Sequence, residues 1–399
     1  MLRRQFLQYS SLASTSLFVP AFLTNPWKRK TEKSRSGRIL VVIQLSGGND
    51  GLNTIVPYRN DIYYRERPQL AVSPQEVLPV HDELGFNPAL RALRSIYDQG
   101  YISVVNNVGY PNPDRSHFRS MDIWHTASGA EEYRSYGWLG SWLDSACTKD
   151  QPPYQALEID DGLSLALKGR LCSGFAMSSP DRLQRTTENR FLKAIGQAHT
   201  DHEHEEVDYL YKTMIDTQNS ATYLYEQAKK HRTTTDYPPT RFGQELALVA
   251  KLILADTDTQ VYYLSLTGFD THANQKNQQG RLLQQYAEGI AAFVQELEQH
   301  QLLKDTLIMT FSEFGRRVAQ NGSNGTDHGA ANNLFLLGGR LKKPGFFNAG
   351  PDLQNLDQGD LRYSVDFRRV YATILEEWLG AAHPPVLGHS FEALRLLSV

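Results

Sequence analysis

Residues 38–45, RILVVIQL, constrain this chain more than any other segment. An apolar run without polar alternation is buried on both faces, which predicts a central strand of a parallel sheet. It ends in Ser46-Gly47-Gly48-Asn49-Asp50-Gly51, where glycines allow a sharp turn. Residues 101–105, 260–266 (QVYYLSL), 306–311 (TLIMTF) and 334–337 read as further strands. Residues 86–99, 278–300, 367–379 and a segment opening at Asp114 or Ser116 and running through His125 read as helices. Strand, loop and helix in alternation predict an α/β fold with a doubly wound, mostly parallel sheet. From about 151 to 241 the sequence turns polar and helical in pattern, predicting a helical insertion beside the sheet. Within it, His202 and His204 lie two apart, a spacing that a helix does not place on one face, so residues 201–206 read as a solvated acidic stretch.

The first 37 residues read as a signal and linker, and residues 38–399 as the folded domain. Arg3-Arg4 precede Phe6-Leu7 and a short apolar stretch broken by Pro20, which resembles the signal of the twin-arginine export route. This predicts contact with the export machinery and a periplasmic or extracellular destination. Membrane attachment, if any, would run only through this N-terminal segment. Cys147 and Cys172 are the two cysteines, and they could pair in an oxidising compartment or stay as buried thiols. A formal net charge of -3 gives no broad attraction to nucleic acid.

In doubly wound sheets, ligands bind at the carboxyl ends of the strands. Acidic and histidine residues recur there. Asp50 follows the first strand, and Asp114-Arg115-Ser116-His117 the second. Asp270 and His272 follow QVYYLSL, Glu313 and Arg316 follow TLIMTF, and Asp327 and His328 lie in a glycine-rich loop. Carboxylates bind hard divalent cations, and imidazoles add affinity for zinc or manganese. Asp50, Asp270, His272, Glu313, Asp327 and His328 therefore form a candidate shell for one or two ions of zinc, manganese, magnesium or calcium. Ser116, at a helix start, is either a nucleophile or a helix cap. His117 is a candidate ligand or proton donor, and Arg115 or Arg316 a candidate anion clamp. No G-x-S-x-G elbow supports a serine esterase.

LSGGNDGLNTIVP, RSHF, GFDTH, SEFGRR, TDHGAANN and VDFRRVYATILEEWLG together resemble the exported bacterial family called domain of unknown function 1501, over residues 38–379. That family is similar to the alkaline phosphatase and sulfatase superfamily, which implies an alkaline-phosphatase-type fold. The resemblance also implies metal binding by Asp50, attack by Ser116, and completion of the metal shell by Asp270, His272, Glu313, Asp327 and His328. Two departures stand out: Asp270 and His272 are spaced D-x-H, where the superfamily uses D-x-x-x-H, and Glu313-Phe314 replaces an Asp-His pair. The leading expectation is an exported metal-dependent hydrolase of an anionic phosphate or sulfate ester. The alternative is a non-catalytic exported binding protein on the same scaffold, recognising an anionic polymer or assisting a secreted partner protein.

Overall fold

In the computed structural model, which describes residues 37–148, 152–188 and 205–398, the apolar run after Arg38 becomes the strand at the centre of a nine-stranded sheet. The described strands are β1 (Ile39–Ser46), β2 (Ile55–Val56), β3 (Leu78–Pro79), β4 (Gly85–Phe86), β5 (Ile102–Gly109), β6 (Ala156–Glu158), β7 (Phe175–Ala176), β8 (Val261–Thr267), β9 (Thr306–Phe311), β10 (Asn332–Gly338), β11 (Gly345–Phe346) and β12 (Val365–Asp366). The main sheet has the order β11-β5-β10-β9-β1-β8-β6-β7, with β12 also on β5, while β2, β4 and β3 form a small separate sheet. β1 pairs in parallel with both neighbours, Val41 lying opposite Tyr262 on β8 and Ile308 on β9.

Side chains alternate across a strand, so β1 feeds two cores. Ile39, Val41, Ile43 and Leu45 pack in one layer with Leu93 of α1 (Arg91–Asp98), and with residues of two longer helices that follow β7 in sequence. Leu40 and Val42 enter the opposite layer, with Trp124 of α2 (His117–Thr126) and Trp138 of α3 (Trp138–Ser145). The first layer is completed by Leu246 of α4 (Arg241–Leu254) and Ile290 of α5 (Gln275–Gln299), the second by Tyr371 of α6 (Phe367–Thr373). Both faces of β1 are apolar because both are covered. Burying each such aliphatic side chain contributes about 1.5–3 kcal/mol.

Three features differ from the sequence reading. β10 runs antiparallel to both β9 and β5, since an apolar run carries no mark of its direction. The polar stretch 151–241 is not wholly an inserted helical unit, because β6 and β7 within it extend the sheet beyond β8. The late helix ends at Thr373 and continues as a π-turn over Ile374–Trp378. Cys147 and Cys172 are joined by a disulfide. The paired arginines near the N-terminus and the pair His202/His204 lie outside the described residues. Among the described residues no helix is long and apolar enough to cross a membrane.

The direction of β10 positions the site. β9 and β5 both oppose it, so β1, β5, β8 and β9 all point the same way. Their carboxyl ends share one edge with the amino end of β10. Residues 312–331 therefore leave and return at that edge.

Candidate metal centre

The turn after β1 is pressed against the turn after β8. Gly47 has φ +117, and a Cβ there would lie 2.4 Å from the backbone nitrogen of Asp270. The Gly47 amide instead donates to Glu313 Oε1 at 2.8 Å, tying the β1 and β9 turns together. Arg316 is 1% exposed and completes the frame. Its Nε donates to the Gly48 carbonyl at 2.6 Å, Nη1 to Thr326 O at 2.8 Å, and Nη2 to Phe269 O at 3.1 Å and Asp270 Oδ1 at 2.9 Å. A buried guanidinium on backbone carbonyls is a staple for three loops.

Within this frame, imidazoles converge on Asp270. Asp270 Oδ1 lies 3.4 Å from His117 Nε2, 3.1 Å from His272 Nε2 and 3.2 Å from His328 Nε2. His272 Nε2 and His328 Nε2 are 2.9 Å apart. The ligand atoms of His117, Asp270 and His328 all fall within 4.8 Å of one another. In a tetrahedral shell with bonds of about 2.0–2.1 Å, neighbouring ligand atoms are separated by about 3.4 Å. The three contacts to Asp270 Oδ1, at 3.4, 3.1 and 3.2 Å, are close to that.

The opposite ring nitrogens fix the tautomers. His117 Nδ1 lies 3.0 Å from Glu313 Oε1, His328 Nδ1 2.7 Å from the Arg115 carbonyl, and His272 Nδ1 3.4 Å from Asp327 Oδ1. Carbonyl and carboxylate oxygens only accept, so each Nδ1 carries the proton. In the neutral rings every Nε2 lone pair then faces the common centre. Lone pairs 2.9 Å apart repel unless a proton or a cation lies between them. Histidine ligands held from behind by oxygen acceptors are the usual outer arrangement of a metal site. His117 Nε2 is also buried without a hydrogen-bond partner, as a nitrogen reserved for a ligand would be.

The charges move these groups in opposite directions. Burial alone would raise the pKa of Asp270, but Arg316 and His328 outweigh it and bring it down to about 2. The hydrogen bond to Glu313 raises His117, whereas burial lowers His328. The Asn321 amide, donating at 3.1 Å, lowers Asp327.

His117, Asp270, His272 and His328 are thus brought together, with Glu313 and Asp327 behind the rings as hydrogen-bond acceptors. Asp50 does not join them. It is 1% exposed, its Oδ2 takes Arg67 Nη1 at 2.6 Å, and its Oδ1 takes the Leu52 amide at 3.1 Å. A carboxylate co-buried with its own guanidinium needs no second cation. No spacing or periodicity in the sequence marks Arg67 as that partner. The expectation of an anion clamp at Arg316 is likewise corrected, because all three of its side-chain nitrogens are bonded to protein oxygens. Ser116 stands at the N-cap of α2 with an exposed hydroxyl that makes no cap hydrogen bond. The cap role is absent there; the Asp114 carboxylate instead accepts the Ser116 amide at 2.7 Å.

Fold and site together define an α/β protein with an imidazole–carboxylate cluster at the carboxyl edge of its sheet. The chain belongs to the family described as Protein of unknown function (DUF1501), whose model matches residues 101–383. No curated protein matches it. Among solved structures it is similar to the C-terminal periplasmic domain of EcEptC from Escherichia coli, at 10% identity and TM-score 0.36, over 76% of this chain and 72% of that one. It is also similar to an alkaline phosphatase superfamily protein from Vibrio parahaemolyticus, at 8% identity and TM-score 0.37, over 88% and 69%. A third is the phosphonate monoester hydrolase SpPMH from Silicibacter pomeroyi, at 10% identity and TM-score 0.37, over 89% and 77%. All three likenesses are distant.

Proposed function

We propose that this chain is an exported, metal-dependent hydrolase of phosphate or sulfate esters. In this reading His117, Asp270, His272 and His328 hold one divalent cation, and Ser116 is the nucleophile. The observation that carries it is the inward convergence of three imidazole nitrogens on one carboxylate oxygen, each ring held from behind by an oxygen. That donor set suits zinc or manganese better than magnesium or calcium, which prefer oxygen ligands throughout. When bound, such an ion supplies Lewis-acid polarisation of an ester oxygen.

The chain's own residues do the rest. His117 and His328 turn Nε2 toward the centre because Glu313 and the Arg115 carbonyl hold Nδ1 on the far side. Arg316 keeps Asp270 ionised. The Ser116 hydroxyl, uncapped and preceding His117 in sequence, attacks phosphorus or sulfur, and the amide groups opening α2 favour the anionic group. The ester bond breaks, and the leaving oxygen takes the serine proton and departs as the alcohol. Water then hydrolyses the serine ester to release phosphate or sulfate and restore Ser116. The disulfide between Cys147 and Cys172 supports an oxidising destination.

Metal analysis of the purified protein, with turnover of aryl phosphate and aryl sulfate, tests this reading. His328→Ala should lose the ion and the activity. Ser116→Ala should keep the ion and the melting temperature while losing turnover by orders of magnitude. Full activity in Ser116→Ala would eliminate the nucleophile, and a metal-loaded protein with no turnover of either ester would favour the non-catalytic binding role.

A further inference from the structure

Beside the cluster, two arginines share one buried carboxylate. Asp360, whose side chain is 3% exposed, accepts a hydrogen bond from Arg115 Nη2 through Oδ2. Its Oδ1 lies 3.7 Å from Arg317 Nε, an ion-pair distance too long for a hydrogen bond. The two guanidinium side chains are 38% and 39% exposed. Arg115 Nε and Asp360 Oδ1 are buried without hydrogen-bond partners. One negative charge thus faces two positive ones, and most of the N–H groups of the two forks are unclaimed by the described residues. Arg316 differs in having every side-chain nitrogen bonded inside the protein.

Both arginines belong to the backbone that builds the centre. The Arg115 carbonyl holds His328 Nδ1 at 2.7 Å, and the Arg317 amide donates at 3.0 Å to the carbonyl of Asp327, whose side chain backs His272. We infer that Arg115 and Arg317, held by the buried carboxylate of Asp360, form an oxyanion-binding element that takes the anionic group of the substrate. This rests on the hydrolase reading for the origin of the anion, but the element is defined by its own geometry. Planar guanidinium forks with free N–H edges match a tetrahedral oxyanion in pairs of parallel hydrogen bonds. Asp360 acts as a positioning residue, holding the two forks against one buried carboxylate.

The test is calorimetric titration of the full chain with inorganic phosphate, before and after removal of metal by a chelator. Phosphate should bind the chelated protein, and Arg317→Ala and Arg115→Ala should each weaken that binding by about tenfold or more. Arg317→Lys should restore part of it, and bound metal should stay at the wild-type level in all three variants. Phosphate binding that disappears on chelation, or that is unchanged in both alanine variants, would overturn the inference. Should Arg115→Ala fail to fold, Arg317→Ala decides, since its guanidinium makes only the longer contact. Failure of the hydrolase reading would be seen separately, as absent ester turnover in protein that still binds phosphate.

Discussion

Glu158 lies on β6 at 5% exposure, its Oε2 accepting the Ser164 amide at 2.6 Å. Burial outweighs that bond and raises its pKa from 4.5 to about 7. A carboxyl raised in the folded state contributes stability that is fully present below its unfolded pKa and is lost as pH rises through the folded value. Stability should therefore fall between about pH 4.5 and 7 through this one group. Glu158→Gln keeps an oxygen for the Ser164 amide and removes the charge. It should raise unfolding stability at pH 8 by roughly 1–3 kcal/mol, with little effect at pH 4. Urea denaturation at the two pH values measures this, and an unchanged difference between them would refute the assignment. At this scale sequence reading named candidate residues, and the fold sorts them by the contacts they make. Asp50 and Asp270 both follow strands, and only the fold turns one toward Arg67 and the other toward three imidazoles. His117 was legible as a ligand or a proton donor; its contact with Glu313, 196 positions away, is what turns its other nitrogen toward Asp270.

At the scale of elements, the apolar runs located β1, β8 and β9 to within a residue or two, because strands covered on both faces leave an unbroken signature. Strand direction and the short outer strands β6 and β7 were not legible. Pairing direction is a property of two segments, and strands of two or three residues are too short to show a period. The turns between elements carry the site, and at Gly47 positive φ and a close backbone approach coincide. An L-residue there would face both a φ of +117 and a backbone contact at 2.4 Å, so the β8 turn bearing Asp270 must move. Gly47→Ala should cost about 2–4 kcal/mol of stability in the chelated protein and weaken zinc binding by about tenfold. Chemical denaturation and a competitive zinc titration measure the two effects. Lost stability with zinc affinity intact would show that the turn supports the fold without positioning the ligand.

For the whole molecule, the disulfide and the N-terminal arginines make one prediction between them. Replacing Arg3 and Arg4 by lysine should hold the chain in the cytoplasm, where Cys147 and Cys172 would stay reduced and open to alkylation. The exported wild-type chain should resist alkylation until reductant is added, and unchanged export of the double variant would refute the twin-arginine route. The topology has a practical side as well. The folded domain begins at β1, whose amino end lies at the edge of the sheet opposite the histidine cluster, roughly 25 Å away along an eight-residue strand. A tag, a fusion or a surface linkage ahead of Arg38 therefore holds the domain by its far edge. Immobilised in that way, the protein would present its histidine cluster outward, unobstructed by its own handle.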